Sequence, residues 1–270
     1  MSKLSQSILN SLGKILGSAS TQPTGKLNSA LRLLAKWRSL LIQNTLIQNH
    51  GTVVLSGPLK GLDFVEESSE GCHVPKLLGC YEQPLQPFIQ SAIERNYDSV
   101  LNIGCAEGYY AVGLSLVMPI TKMYAFDTDP NAQKNCLLLA EKNGVAARVI
   151  IGPRFDTSDF KDYDAKNTLI FCDIEGAELE LLDPSIAPTL VGFDIIVESH
   201  ECLVSGITQT LVSRFSKTHT VTQIDDSGYR VLKNLPKWFS KLNHLDQLLA
   251  MWEWRSGPTP WLVMIANRQT

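Results

Sequence analysis

The sequence predicts an α/β fold, a mostly parallel sheet with helices on both faces. Two observations point to it. From about Leu85 onward, short apolar segments alternate with segments of helical pattern, as strands buried on both faces do. One apolar segment, "VLNIGCAEGYY" (100–110), runs into Gly104 and then Gly108, a turn suited to a ligand site at the carboxyl end of a strand.

The 270 residues allow one large domain with an appendage, or two small domains. With 44% hydrophobic and 19% charged residues the composition is that of an ordinary globular protein. A net charge of -3 gives no general electrostatic reason to expect nucleic acid as a partner. No apolar run reaches the length of a membrane span. The six cysteines form no C-x-x-C pair and no metal-finger spacing, and Cys105 and Cys172 read as buried thiols. A reducing cytoplasm fits this usage.

The charge is uneven along the chain. Residues 1–50 carry six basic residues and no acid, leaving -9 on the remaining 220. Leu4, Ile8, Leu12, Ile15 and Leu16 recur at helical spacing around Gly13, residues 17–25 read as a linker, and a longer amphipathic pattern runs from about Leu27 to Ile47. Three roles compete for this extension: a helical cap or homodimer element, a membrane-surface helix, and a targeting peptide. Few arginines and no cleavage signal count against the last. The boundaries read as 1–50 for the helical extension, 51–80 for a hairpin and connecting or lid segment, and 81–270 for the sheet domain.

"GTVVLSGPLKGLDFV" (51–65) suggests a short hairpin broken at Gly57-Pro58. Beyond it, "PFIQSAIERN" reads as helix, "DSVLNI" as strand, "YYAVGLSLVM" as helix and "KMYAFD" as strand. Asp129 is placed to cap the next helix, with Pro130 in its first turn and Asn143-Gly144 as its stop. "ARVII", "NTLIFCD" and "FDIIVES" read as further strands, the last two separated by helical "AELELL". An edge strand is expected near His219 in "KTHTV", where that histidine reads as structural.

The glycine turn discriminates between ligands. A dinucleotide site wants G-x-G-x-x-G, but Ala106 stands at the second glycine and Tyr109 at the third. A tyrosine there crowds a pyrophosphate seated on the helix N-terminus, whereas a cofactor without phosphates does not need that approach. Asp127, 23 residues after Gly104, ends the second strand, where a carboxylate can accept both hydroxyls of a ribose.

"FCDIEGAELELLDP" (171–184) resembles the D-x-E-G-x-E-x-x-x-L signature of FkbM-type methyltransferases. Beside it, "VLNIGCAEGYY" and "YAFDTDP" are similar to the glycine and ribose motifs of class I methyltransferases, and "GPLKGLDF", "KLLGCYEQPL" and "IIVESHE" to other segments of the family. The resemblance covers roughly residues 50–232. It implies a Rossmann-like, seven-stranded sheet and transfer of the methyl group of S-adenosylmethionine, with oxygen favoured over nitrogen of a small-molecule or saccharide acceptor. Asn102 departs from the pattern, since many class I enzymes carry an acid before the glycine turn. The implied cofactor site is Asn102, Gly104, Cys105, Ala106, Glu107, Gly108, Tyr109, Asp127, Thr128 and Asp173.

A hydroxyl acceptor must lose its proton, which calls for a base or a metal. Asp173 and Glu175 close one strand, Glu198 and His200 the next; Glu198 and His200 share a face while Ser199 points back. Asp173, Glu198 and His200 therefore form the candidate catalytic group, and the same three resemble the magnesium site of catechol-type O-methyltransferases, with magnesium or manganese as the cation. Tyr81, Glu82 and Glu175 are candidates for the acceptor pocket, which Trp252, Trp254 and Arg255 would close. Two other classes compete: an NAD-dependent oxidoreductase, against which Tyr109 and the missing glycines argue, and a non-catalytic cofactor-binding scaffold whose basic N-terminus binds a partner.

Overall fold

The computed structural model describes residues 3–19, 21–66, 72–232 and 235–268; residues 67–71 of the predicted connecting segment lie outside the described residues. Its centre is a seven-stranded sheet in the order β3-β2-β1-β4-β5-β7-β6. The strands are β1 (Ser99–Ile103), β2 (Lys122–Phe126), β3 (Val149–Gly152), β4 (Thr168–Cys172), β5 (Asp194–Glu198), β6 (His219–Ile224) and β7 (Trp261–Ala266). The first five run parallel; β7 is antiparallel to both β5 and β6. All residues of β4 and β5 are buried, which is why they read as unbroken apolar runs without alternation.

Helices α1 (Lys3–Gly17), α2 (Pro23–His50), α3 (His73–Leu78), α4 (Gln86–Arg95), α5 (Tyr109–Val117), α6 (Pro130–Lys142), α7 (Glu178–Leu181), α8 (Ile207–Phe215) and α9 (His244–Met251) complete the chain. Leu101, Ile103, Ile170, Ile195 and Val197 belong to one apolar core, Val100, Leu169, Phe171 and Ile196 to another, so alternate residues of each strand serve opposite faces. The cap on α6 is as predicted, with Asp129 accepting from the Asn131 amide. No described helix is long and apolar enough to cross a membrane.

Three local expectations change. The linker shrinks, because α1 reaches Gly17 and Pro23 already opens α2, a position where its missing N–H costs nothing. Gly13 does not interrupt α1. The hairpin at 51–65 reduces to one antiparallel bridge, Val53 with Asp63, flanked by Val54 N–H donating to Leu62 O at 2.8 Å and Phe64 N–H to Thr52 O at 2.9 Å.

The two N-terminal helices differ. Helix α1 packs along α2 and buries none of its described residues. Helix α2 packs on α9 and α3, burying Ala30, Ser39, Ile42, Gln43 and Leu46. Arg38 forks onto buried Asp246 of α9, Nε to Oδ1 at 2.6 Å and Nη2 to Oδ2 at 2.5 Å. Higher up, Arg32 donates to Arg255 O at 3.1 Å, to Trp254 O and to Ser256 Oγ at 3.0 Å, clamping the C-terminal strap 252–259.

Arg38→Met should therefore lower thermal stability by about 2 kcal/mol, less than a fully buried pair because the guanidinium is partly solvated. Adding Asp246→Leu should recover most of that loss, since no buried charge is then left without its partner. Denaturant melts of the two variants test this, and an Arg38→Met protein as stable as the parent counts against a packed α2.

Candidate functional site

Strand order reverses between β1 and β4, the place where ligands bind in open α/β sheets. Ile103 pairs with Cys172 there, so Gly104 and Asp173 leave the sheet side by side, and Asp173 N–H donates to Ile103 O at 2.9 Å. Gly104 has φ +80°, and a Cβ on it would lie 1.7 Å from the Asp173 carbonyl oxygen. The close approach that demands glycine is thus to β4's own backbone, not to the ligand alone. Gly108, at φ +93°, does the same job against α6, where a Cβ would meet Cys136 Sγ at 2.8 Å.

Two cavities open at this point. The first, about 390 Å³, is lined by Gly104, Phe126, Asp127, Thr128, Phe155 and Asp173 among others. Asp127 is held on both oxygens: Ala106 N–H donates to Oδ2 and Asp129 N–H to Oδ1, each at 2.9 Å. Each carboxylate oxygen has a second lone pair, so two vicinal hydroxyls can still be accepted. Ala106 takes a left-handed conformation, φ +46°, to make its bond.

The second cavity, about 340 Å³, lies on the other side of Gly104, Asp173 and Glu175, which line both. Asn102, Cys105, Ala106, Glu107 and Tyr109 face it, so the predicted cofactor residues divide between the two spaces. Tyr109 stacks edge-on against Phe64, Tyr81 and Tyr110. Tyr81, Glu198, His200, Trp254 and Arg255 also line this cavity, whereas Trp252 faces elsewhere, under Arg32. Ser199 points back as expected, bonded to Pro260 O and Thr208, and His219 is held between Phe193 O and Thr218 in the core.

His200 is fixed by a residue the sequence reading passed over. Buried Glu178 takes its Nδ1 at 2.7 Å, leaving Nε2 at 3.4 Å from Glu175 Oε2, 3.5 Å from Asp173 Oδ1 and 3.9 Å from Glu198 Oε2. Burial works against the imidazolium, but Glu178, Glu198 and Glu175 together raise the His200 pKa above its ordinary value. Lost hydration, with the charges of Glu198, Glu82 and Glu175, raises Asp173 well above the carboxylate range. Glu178 was legible only as part of "EGAELE"; its contact with His200 depends on tertiary placement.

Glu198 belongs to another group. Its Oε1 is taken by Arg255 Nη1, while Arg255 Nη2 reaches Glu82 Oε1 at 2.9 Å, and its Nε faces Glu253 at 3.3 Å and Asp226 at 3.5 Å. Glu82 is buried, also accepts from Tyr110 OH, and is pushed up to about 8, chiefly by burial. The set of donor atoms within 4.8 Å of one another is Asp173, Glu175 and His200. Among the described residues this group holds Glu175 where the predicted trio had Glu198, whose Oε1 is paired with Arg255.

No protein-family model matches the chain, and no curated protein matches it. Among solved structures, a Klebsiella pneumoniae protein described as a candidate O-methyltransferase aligns with a TM-score of 0.51 at 14% identity, covering 84% of this chain and 97% of that one. An O-methyltransferase of Streptomyces achromogenes involved in tomaymycin synthesis, solved with S-adenosylmethionine, aligns at 0.47 with 11% identity, over 68% of this chain and 80% of that one. The fold is the Rossmann-like one of class I methyltransferases, a mostly parallel seven-stranded sheet with a helical N-terminal region in addition.

Gly104→Ala should cost roughly 3 kcal/mol or more, combining left-handed strain with a displaced β4 end. Thermal melts of this variant beside Gly144→Ala, whose added Cβ meets nothing within 4 Å, separate the clash from the strain. Equal losses at the two sites would refute the tight β1–β4 crossing.

Proposed function

We propose that the chain is an S-adenosylmethionine-dependent methyltransferase of FkbM-like type, acting on an oxygen of a small-molecule or saccharide acceptor. The observation that carries this reading is the meeting of two cavities at Gly104, Asp173 and Glu175, with Asp127 in one and His200 in the other. Asp127 and Thr128 suit the ribose, and the apolar Phe126 and Phe155 beside them suit a base. The sulfonium would cross the shared wall, where the carboxylates of Asp173 and Glu175 favour a cation. In-line transfer needs alignment above all, and orienting both reactants can supply an effective molarity of about 10⁵ to 10⁸ M.

His200 then takes the acceptor proton on Nε2. Glu178 holds Nδ1, fixes the ring and stabilises the imidazolium that forms, the same support a carboxylate gives other catalytic histidines. Glu175 and Tyr81 are the nearest candidates to touch the acceptor, with Trp254 and Arg255 closing the far wall.

A second reading uses the same atoms. The carboxylates of Asp173 and Glu175 and the imidazole of His200 suit a divalent cation such as magnesium or manganese, Asp173 Oδ1 lacks a hydrogen-bond partner, and Glu178 on Nδ1 is the support that metal-bound histidines receive. Such an ion would lower the pKa of the acceptor hydroxyl. Base catalysis is preferred, because Glu178 holds Nδ1 at 2.7 Å and leaves Nε2 of the ring, which lines the second cavity, to take the proton.

Asp127→Ala should weaken binding of S-adenosylmethionine through loss of two charge-assisted hydrogen bonds, each worth about 1.5 to 3 kcal/mol. Calorimetry that finds unchanged affinity removes Asp127 from the ribose site. For the chemical step, methyl incorporation from labelled donor into cell extracts supplies the assay. Under base catalysis chelators leave the rate intact and His200→Ala costs roughly 10² to 10⁴. The base works only when neutral, so activity falls with decreasing pH, through a value above the ordinary histidine pKa of about 6.5. Activity lost to a chelator and restored by magnesium or manganese decides for the metal instead.

A further inference from the structure

We propose that α1, α2 and α9 form a docking face for the surface of an anionic lipid bilayer. Leucines of the three helices enter the headgroup layer, and lysines of the first two meet lipid phosphates. The inference stands apart from the cofactor reading and gives the N-terminal helices a role.

Three observations carry it. First, each helix shows solvent an apolar ridge at helical spacing. Leu27, Leu31, Leu245 and Leu248 are 63% to 69% exposed, and Leu9, Leu16 and Leu34 are exposed as well. Leu9 and Leu16 lie two turns apart on α1, Leu27, Leu31 and Leu34 follow i, i+4, i+7 spacing on α2, and Leu245 and Leu248 are one turn apart on α9. Other residues occupy the packing faces: half-buried Leu4, Ile8, Leu12 and Ile15 on α1, and buried Ala30, Ile42 and Leu46 on α2.

Second, the ridges adjoin. Lys26 Nζ donates to Leu16 O at 3.1 Å, which brings the end of α1 to the turn of α2 that carries Leu27. Leu31 and Leu248 line one open cleft of about 830 Å³ between α2 and α9. An exposed apolar patch continued over three helices marks a surface that a partner covers.

Third, the charge on this face has one sign. Helices α1, α2 and α9 carry a single acid, Asp246, which is buried and taken by Arg38. The two carboxylates in the cleft, Asp226 and Glu253, are taken by Arg230 and Arg255. Arg32, Lys36 and Arg38 turn inward, onto the strap, Trp254 and Asp246. Lys3 and Lys14 are exposed, and half-buried Lys26 stands at the corner between α1 and α2.

That sign decides the occupant. A second copy meeting the face about a two-fold axis would present the same patch from both sides. Lysines would then oppose lysines, with no acid of the three helices left to receive them. A layer of anionic headgroups supplies phosphates for the lysines and a hydrocarbon boundary for the leucines. Glu253 and Arg255 line both the cleft and the second cavity, so docking would bring one wall of that cavity to the lipid boundary.

The test is sedimentation of the full chain with vesicles of phosphatidylcholine, alone or mixed with an equal part of phosphatidylglycerol. The protein should sediment with the mixed vesicles at low salt, stay in solution with phosphatidylcholine alone, and be released as salt screens the lysines. Leu27→Gln with Leu31→Gln should weaken partition about 10-fold or more, and Leu245→Gln with Leu248→Gln should act alike. Lys3→Gln, Lys14→Gln and Lys26→Gln together should weaken it about 10- to 100-fold. Thermal melts of these surface variants should stay with the parent's, which separates lost docking from lost folding. Absence of binding, equal binding to both vesicle types, or binding untouched by either set of substitutions overturns the proposal. A parent dimer that the leucine substitutions dissociate, without vesicle binding, assigns the face to a second copy instead. Affinity for S-adenosylmethionine, read by calorimetry on the same variants, should not change, so failure here leaves the cofactor reading intact.

Discussion

The half-buried guanidinium of Arg255 organises one wall of the second cavity. Arg255 joins Glu198 at the end of β5, Glu82 before α4, and Glu253 and Asp226 in the C-terminal segment. Four carboxylates around one cation would repel one another without it, and burial would force protons onto them. Even with Arg255 present, burial and the Glu198 charge push Glu82 up to about 8. Arg230, bonded to Asp226 and Glu253, is the second positive pole of this cluster. The cavity wall is thus an electrostatic lattice in which removing one member changes the protonation of the rest.

The first cavity is built on different physics. There the determining facts are steric: Gly104 against Asp173, and Gly108 against Cys136. Backbone amides, not cations, orient Asp127. His200 stands between these regimes, oriented by buried Glu178 and surrounded by Asp173, Glu175 and Glu198.

Local chemistry carried most of the fold into the sequence. Doubly buried strands have an apolar signature, Asp129 and Pro130 mark a helix start, and the spacing from Gly104 to Asp127 matches one strand–helix–strand unit. Features set by distant contacts were hidden. Glu178 and His200 are 22 residues apart, and Arg255 and Glu82 are 173 apart, so no local pattern announces either pair. Lys76 lies in "HVPKLL", where only tertiary structure reveals a buried ammonium in place of a surface one. Glu198 shows the complementary case: its place on the strand was readable, but not its contact with an arginine 57 residues later.

The strap at 252–259 couples the second cavity to the helical N-terminal region. It carries Trp254 and Arg255 to the second cavity, is gripped from α2 by Arg32, and leads directly into β7. Asp127, Thr128 and the Gly104–Asp173 crossing owe it no hydrogen bond. A shift of the strap against α2 therefore moves the wall of the second cavity while the hydrogen bonds of Asp127 stay in place. Through Arg32, helix α2 near one end of the chain and the strap near the other act as one mechanical unit on that wall.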